Sequence, residues 1–320
     1  MSEAPHIPVM LKEVLAALSP KDGEIYVDGT FGAGGYTSAF LDKADCRVIA
    51  LDRDTTALAA GEKLRKKYGD RLALVYGRFG DADDLVRGEG VESVDGFVLD
   101  VGVSSMQIDQ AARGFSFRFD GPLDMRMDQQ GGGPTAADIV NSYEEKELAD
   151  LIYQYGDERH SRRIARAIVK ARAEEPVTTT GRLADIVRSA VPKSKKDGID
   201  PATRTFQALR IYVNDELGEL QRALSAAEGL LGEGGRLVIV SFHSLEDGLV
   251  KKFLRERSGQ ESRGSRYLPE TQTRDDWTFT MDERKAVLPS DEEADINPRA
   301  RSARLRVAVR TAAPAWEVSR

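Results

Sequence analysis

Glu24-Ile25-Tyr26-Val27-Asp28-Gly29-Thr30-Phe31-Gly32-Ala33-Gly34-Gly35-Tyr36 runs from a short β-prone stretch through a glycine-rich turn into a helix expected over Tyr36–Leu41. The same alternation repeats downstream. Cys46–Asp54 (CRVIALDRD) precedes a helix expected near Thr55–Tyr68, and Arg71–Phe79 (RLALVYGRF) and Asp95–Ser105 (DGFVLDVGVSS) follow as further strands. Apolar runs of about four to six residues, separated by helices, are what strands need when both faces of a sheet are covered. The pattern predicts an α/β fold built on a doubly wound, Rossmann-like parallel sheet.

From about Asp109 to Thr205 the alternation stops. Helical periodicity takes over at Ala136–Asn141, Glu144–Tyr155, His160–Arg172 and Thr180–Ala190, with no convincing buried strand. An amphipathic helix is expected over Ala208–Leu231, then a strand in Gly234–Ser244 (GGRLVIVSFHS) and a last one in Ser302–Thr311 (SARLRVAVRT). The expected organisation is an α/β domain split between 1–108 and 206–320, interrupted by a helical insert at 109–205. Residues 257–294 are polar, mixed in charge and without a clear period, which predicts a long loop.

The chain has 320 residues, more than one core usually serves, with 41% hydrophobic and 31% charged residues, an ordinary soluble composition. No apolar run approaches the roughly 20 residues of a membrane span, and Glu3, Lys12 and Glu13 interrupt the N-terminus where a secretory leader would be apolar. A cytoplasmic protein is expected. The single cysteine, Cys46, lies in an apolar run and reads as core filler. A net charge of −7 argues against uniform coating of nucleic acid but leaves room for a local basic face.

The turn after the first strand places glycines where the backbone must bend tightly and approach a ligand, although a plain strand-to-helix turn would look similar. Asp52 ends the second strand, where a carboxylate accepts from a ribose diol; Asp54 competes for that role, and a solvated strand-end carboxylate is the plainer alternative. Such a pair suits either a dinucleotide such as NAD or S-adenosylmethionine. Gly29, Gly32, Gly34 and Gly35 do not give G-x-G-x-x-G. Asp28, Thr30, Gly32 and Gly34 instead give D-x-G-x-G-x-G with threonine for the first glycine, which favours S-adenosylmethionine. Phe79 after the third strand is placed to pack on adenine, or simply belongs to the core, and Asp100 ends the fourth strand.

Asp28–Thr37 (DGTFGAGGYT), Phe97–Asp109 (FVLDVGVSSMQID), Arg113–Asp128 (RGFSFRFDGPLDMRMD), Asp200–Asn214 (DPATRTFQALRIYVN), Ser241–Asp247 (SFHSLED) and Asn297–Arg306 (NPRARSARLR) together closely resemble the bacterial 16S ribosomal RNA cytosine N4-methyltransferase family, RsmH or MraW. The likeness runs from His6 to about Arg310 and weakens across 257–292. The resemblance implies S-adenosylmethionine as methyl donor, held by Gly34, Gly35, Tyr36, Asp52, Phe79, Asp100 and Gln107. It implies as target the exocyclic amine of one cytosine in the decoding region of 16S rRNA, within the small ribosomal subunit or its assembly intermediate. Tyr36 stands where the family commonly has histidine, and Met106 where it has proline. A homodimer is an open expectation without a sequence signal.

For catalysis, Asp100 is expected to help hold the cofactor and to accept from the target amine, with Ser104, Ser105 or backbone assisting. His243, just beyond a strand end, reads either as a proton acceptor or as a structural cap. The three histidines form no ligand pair, so no catalytic metal is expected. RNA contact is expected from Arg159, Arg162, Arg163, Arg166, Lys170 and Arg172 on one helix, from Arg299, Arg301, Arg304 and Arg306, and from Arg113, Arg118, Arg126, Arg204 and Arg210 interleaved with Phe115, Phe117, Phe119 and Phe206; a solvated basic helix is the plainer reading of the first group. The rivals are a methyltransferase of a small molecule or protein, and a noncatalytic ribosome-assembly factor.

Overall fold

The computed structural model describes residues 8–191, 200–260, 276–297 and 299–316. His6, where the family likeness begins, and residues 261–275 of the expected loop lie outside the described residues. The chain forms two compact units, Met1–Gly102 with Leu217–Arg320, and Val103–Glu216. The seams therefore fall after Gly102 and Glu216, rather than after residues 108 and 205.

The first unit opens with α1 (Leu11–Leu18), followed by β1 (Ile25–Asp28), α2 (Gly35–Lys43), β2 (Arg47–Asp52), α3 (Thr55–Tyr68), β3 (Leu72–Tyr76), α4 (Ala82–Gly88) and β4 (Val94–Asp100). Strand interiors such as Val48–Leu51 and Phe97–Leu99 are fully buried, as expected for strands covered on both faces. The helix α3 starts where Asp54 caps it, accepting from Thr56 N at 3.0 Å, and ends in a basic turn of Arg65, Lys66 and Lys67, which suits its dipole.

The second unit contains α5 (Ser105–Asp109), α6 (Ala136–Ser142), α7 (Glu145–Gly156), α8 (Ser161–Glu174), α9 (Thr180–Ala190) and α10 (Ala202–Val213). Among its described residues there is no strand, only an isolated bridge between Pro122 and Thr179. It has its own core, in which Ile139, Leu148, Ile152, Ile164, Leu183 and Leu209 are buried at helical spacing. The expected helix over Ala208–Leu231 is instead two helices. Asp215 takes a left-handed conformation (φ 49°), while Asn214 is drawn away to donate to Met125 O (2.7 Å) and accept from Met127 N (2.8 Å).

The chain then returns to the first unit with α11 (Glu216–Leu230), β5 (Leu231–Ser241), α12 (Ser244–Arg257), β6 (Phe279–Thr280), α13 (Asp291–Ile296) and β7 (Arg304–Arg310). The seven strands lie in the order β3-β2-β1-β4-β5-β7-β6, with the first five parallel and the last two joined antiparallel. β6 and α13 correct the reading of 257–294 as loop. The strand order reverses between β1 and β4, which is where ligands bind in open α/β sheets, outside the carboxyl ends of the strands. No helix among the described residues is long and apolar enough to cross a membrane.

Candidate active site

The turn after β1 is stitched to both neighbouring strands. Gly29 N donates to Val98 O (3.0 Å), Phe31 N to Leu51 O (3.0 Å), and Thr30 Oγ1 accepts from Asp100 N (2.7 Å). Asp52 closes the turn from the other side: Oδ2 accepts from Gly32 N and Oδ1 from Asp54 N, both at 2.8 Å. Asp28 is fully buried beneath it, accepting from Thr37 Oγ1 (2.7 Å) and Thr30 N (3.2 Å). Because Asp54 is spent on capping α3, the carboxylate that faces the turn is Asp52.

This arrangement gathers negative charge out of water. Burial pushes the Asp28 carboxyl up to about 6, opposed by its bonds from Thr37 and Thr30. Asp100 rises further, to about 8, through burial and then through the nearby charges of Asp28 and Glu246. Burial also raises Asp52, against the two backbone donors. Asp100 Oδ1 is buried with no hydrogen-bond partner among the described residues. A buried acceptor flanked by two carboxylates calls for a cationic or proton-donating ligand. S-adenosylmethionine, which carries a sulfonium and an ammonium, fits that demand.

Phe79 begins a 3-10 turn after β3; it packs on the unit's core, and a Cβ added to Gly29 would lie 3.4 Å from its own, so it stands beside the glycine turn. The Tyr36 ring is buried and stacks on Phe40, and its hydroxyl donates to Val9 O, so the side chain is part of the core while the backbone lies at the start of α2. Gln107 lies in the second unit, where its Oε1 accepts from Ser104 N (3.0 Å) and its N donates to Ser104 Oγ (3.3 Å), closing the capping box of α5.

His243 caps α12. Its Nδ1 accepts from Glu246 N (3.4 Å), and its Nε2 lies 2.8 Å from Glu246 Oε1, while Glu246 Oε2 accepts from Phe242 N (2.8 Å) and His243 N (3.2 Å). Asp100 is the register partner of Val240, so this cap sits at the strand end next to Asp100.

Two site residues escaped the sequence reading. Glu246 is one. The other is Glu219, which is buried, accepts from Gly80 N (3.0 Å) and pairs with Arg78 (3.1 Å), fixing the turn that carries Phe79. The signal was present: Glu219 falls in the apolar stripe of Leu220, Ala223, Leu224 and Ala227, where a charge requires a partner. Glu219→Ala is expected to cost about 2 kcal/mol by orphaning Gly80 N and to weaken S-adenosylmethionine binding several-fold. Thermal melting and calorimetric titration check this; a variant unchanged in both would show that the turn holds itself.

The structure also sorts the arginines. Arg304 and Arg306 pair with buried Asp247 (2.9 and 2.7 Å); burial alone would raise that carboxyl, but the two arginines hold it below its usual range. Arg301 donates to Ala294 O, Arg113 to Met127 O, Arg126 pairs with Asp124, and Arg210 with Glu216. Phe115 is buried, and Phe117 packs edge-on against Phe206, leaving Phe119 exposed. Of these groups expected on an RNA face, Arg113, Phe115 and Phe206 are buried and Arg306 is nearly so, while Arg301 and Phe119 are exposed and Arg304 is half-exposed.

A doubly wound sheet with a glycine turn at its switch point and carboxylates on successive strand ends defines a nucleoside-cofactor enzyme of the methyltransferase class. The sequence profile of the MraW methylase family matches residues 3–311, and the chain belongs to that family. It is 59% identical over 318 residues to the ribosomal RNA small subunit methyltransferase H of Paramagnetospirillum magneticum, covering 99% of each chain. The proteins of the same name from Parvibaculum lavamentivorans (58% identity, 98% of this chain and 92% of that one) and Rhodospirillum rubrum (56%, 98% and 97%) are similar to the same extent. The protein is a methyltransferase, and S-adenosylmethionine is its methyl donor.

Proposed function

We propose that this protein methylates the N4 exocyclic amine of a specific cytosine in the decoding region of 16S rRNA, in the cytoplasm, on the small ribosomal subunit or its assembly intermediate. Relatives named as ribosomal RNA small subunit methyltransferases align along nearly its whole length. The observation that carries the chemistry is the buried, unpartnered carboxyl oxygen of Asp100.

A cytosine amine is a poor nucleophile because its lone pair is delocalised into the ring. An acceptor for its hydrogen atoms localises that pair and later receives a proton. Asp100, with its carboxyl raised to about 8 by burial and neighbouring carboxylates, is a stronger base than an ordinary aspartate once ionised. S-adenosylmethionine supplies the electrophilic methyl. Gly34, Gly35 and the backbone of Tyr36 would line its binding turn, Asp52 would take the ribose hydroxyls and Phe79 would pack on the adenine. His243 holds Glu246, and so the charge beside Asp100, as a positioning residue. The target base must be extruded or single-stranded to reach such a group. The helical unit, 103–216, serves RNA recognition.

The test is transfer of labelled methyl to purified small subunits lacking modifications, followed by nuclease digestion and nucleoside mass analysis. N4-methylated cytidine at one site is expected. No transfer with cofactor binding intact would turn the assignment to an assembly factor or to another acceptor.

A further inference from the structure

The second unit carries a row of cations that its folding does not use. In α8, Arg162, Arg163, Arg166 and Lys170 are exposed and, at 100° per residue, share an arc of about 100°, opposite buried Ile164, Ala165 and Ile168. Exposed Arg159 precedes them, and the row from Arg162 to Lys170 spans about 12 Å. Only Arg166 has a partner in the row, Glu145 at 3.5 Å, with its own side chain 77% exposed; the side chains of Arg159, Arg162, Arg163 and Lys170 make no ion pair or hydrogen bond among the described residues. That contrasts with Arg113, Arg126 and Arg210 of the same unit, each tied to a carboxylate or a carbonyl.

The placement also opposes helix stability. The first turn of α8 has no acidic residue and no side-chain cap, and instead begins with two arginines at the positive end of the helix dipole. Its neighbours obey the usual rule: α6 has a Thr135–Asp138 capping box, and α7 begins with Glu145 and Glu147. A solvated helix face gains nothing from five like charges in a row, the first of them at the unfavourable end. Each of these charges is accounted for if a polyanion covers them.

We propose that this face of α8 is a docking surface for the sugar-phosphate backbone of the RNA substrate, binding by charge and not by base identity. The inference rests on the ribosomal RNA reading. The test compares the parent with the variant carrying Arg159→Gln, Arg162→Gln, Arg163→Gln and Lys170→Gln. Binding to small subunits and to protein-free 16S RNA is measured across a potassium chloride series. Loss of four phosphate contacts is expected to make the slope of log affinity against log salt shallower by about 3, with affinity at low salt at least about tenfold weaker. KM for subunits rises while kcat is kept, S-adenosylmethionine affinity is unchanged, and the melting midpoint is no lower than the parent's, because the removed charges opposed the helix. A parental slope on protein-free RNA overturns the proposal. So does weakening confined to intact subunits, which would assign the face to an acidic protein surface. Failure of the parent itself to methylate small subunits would defeat the functional reading, and is read separately from the slope.

Discussion

Asp100→Asn is expected to abolish methyl transfer while making the protein more stable above neutral pH. The folded carboxyl ionises near pH 8, against an ordinary value of 3.8. Its folded value is raised, so the stability it contributes is fully present below about pH 4 and is lost as pH rises through about 8. Asparagine keeps the shape and cannot ionise, so it carries no charge into the buried site beside Asp28 and Glu246 at any pH. The variant should therefore match the parent only near pH 4, gain on it progressively as pH rises, and exceed it by about 2 kcal/mol or more at pH 9. Activity should move the other way, falling by a factor of about 100 or more, because the acceptor for the amine proton is gone. The parent's kcat/KM should climb with pH as the carboxyl ionises, with an apparent midpoint at or below 8, since a cationic cofactor favours the ionised form. Thermal melts at both pH values, paired with single-turnover transfer, check the two halves. Full turnover by the variant would remove Asp100 from the chemistry, and a melting difference independent of pH would remove the charge from the stability argument.

That trade of stability against chemistry explains which parts of the molecule were legible in the sequence. The strands β1, β2, β3, β4 and β5 could be read because residues buried on both faces write continuous apolar runs, as Val48–Leu51 does. Asp28, Asp52 and Asp100 could be read because they end such runs. β6 could not, since two residues carry no period, and neither could α13, whose DEEADI sequence has no apolar stripe and buries no residue, although its Glu293 accepts from Met10 N (2.6 Å). The break between α10 and α11 was hidden because Asn214 and Asp215 interrupt the helical period for less than a turn. Glu219 and Glu246 are a different case. Glu219 is buried against Gly80 and Arg78, distant in the chain, and Glu246 within its own cap on Phe242 and His243, so the sequence shows only a charge within an apolar stripe or a capping position. The arginines reverse the lesson: local composition grouped Arg304 and Arg306 with the free cations of α8, and only their meeting with Asp247 separates them.

The glycine turn yields the second large effect, and its two central glycines should behave differently. Gly34 sits at φ 75°, ψ 24° as the residue before α2. A Cβ there would lie 2.5 Å from Leu64 Cδ1 and 2.8 Å from Phe31 Cε2, and the Phe31 ring cannot retreat, because on its other side a Cβ on Gly61 would already lie 2.6 Å away. Gly34→Ala thus combines left-handed strain of about 1–2 kcal/mol with overpacking of about 1–3 kcal/mol, and should lower the melting midpoint markedly whether or not cofactor is present. Gly32 has φ 53° but faces open space, its nearest neighbour being Thr30 O at 3.8 Å. Gly32→Ala carries the strain alone, so its stability loss stays near 1 kcal/mol, while a methyl group projecting over the Asp52 end of the turn should weaken S-adenosylmethionine binding about tenfold or more. Calorimetric titration and melting of both variants separate the two roles. If Gly32→Ala binds cofactor normally while Gly34→Ala fails only in stability, the turn is a packing device and the cofactor lies elsewhere along the strand ends; if Gly32→Ala loses binding at near-parental stability, the open side of the turn is the cofactor's seat.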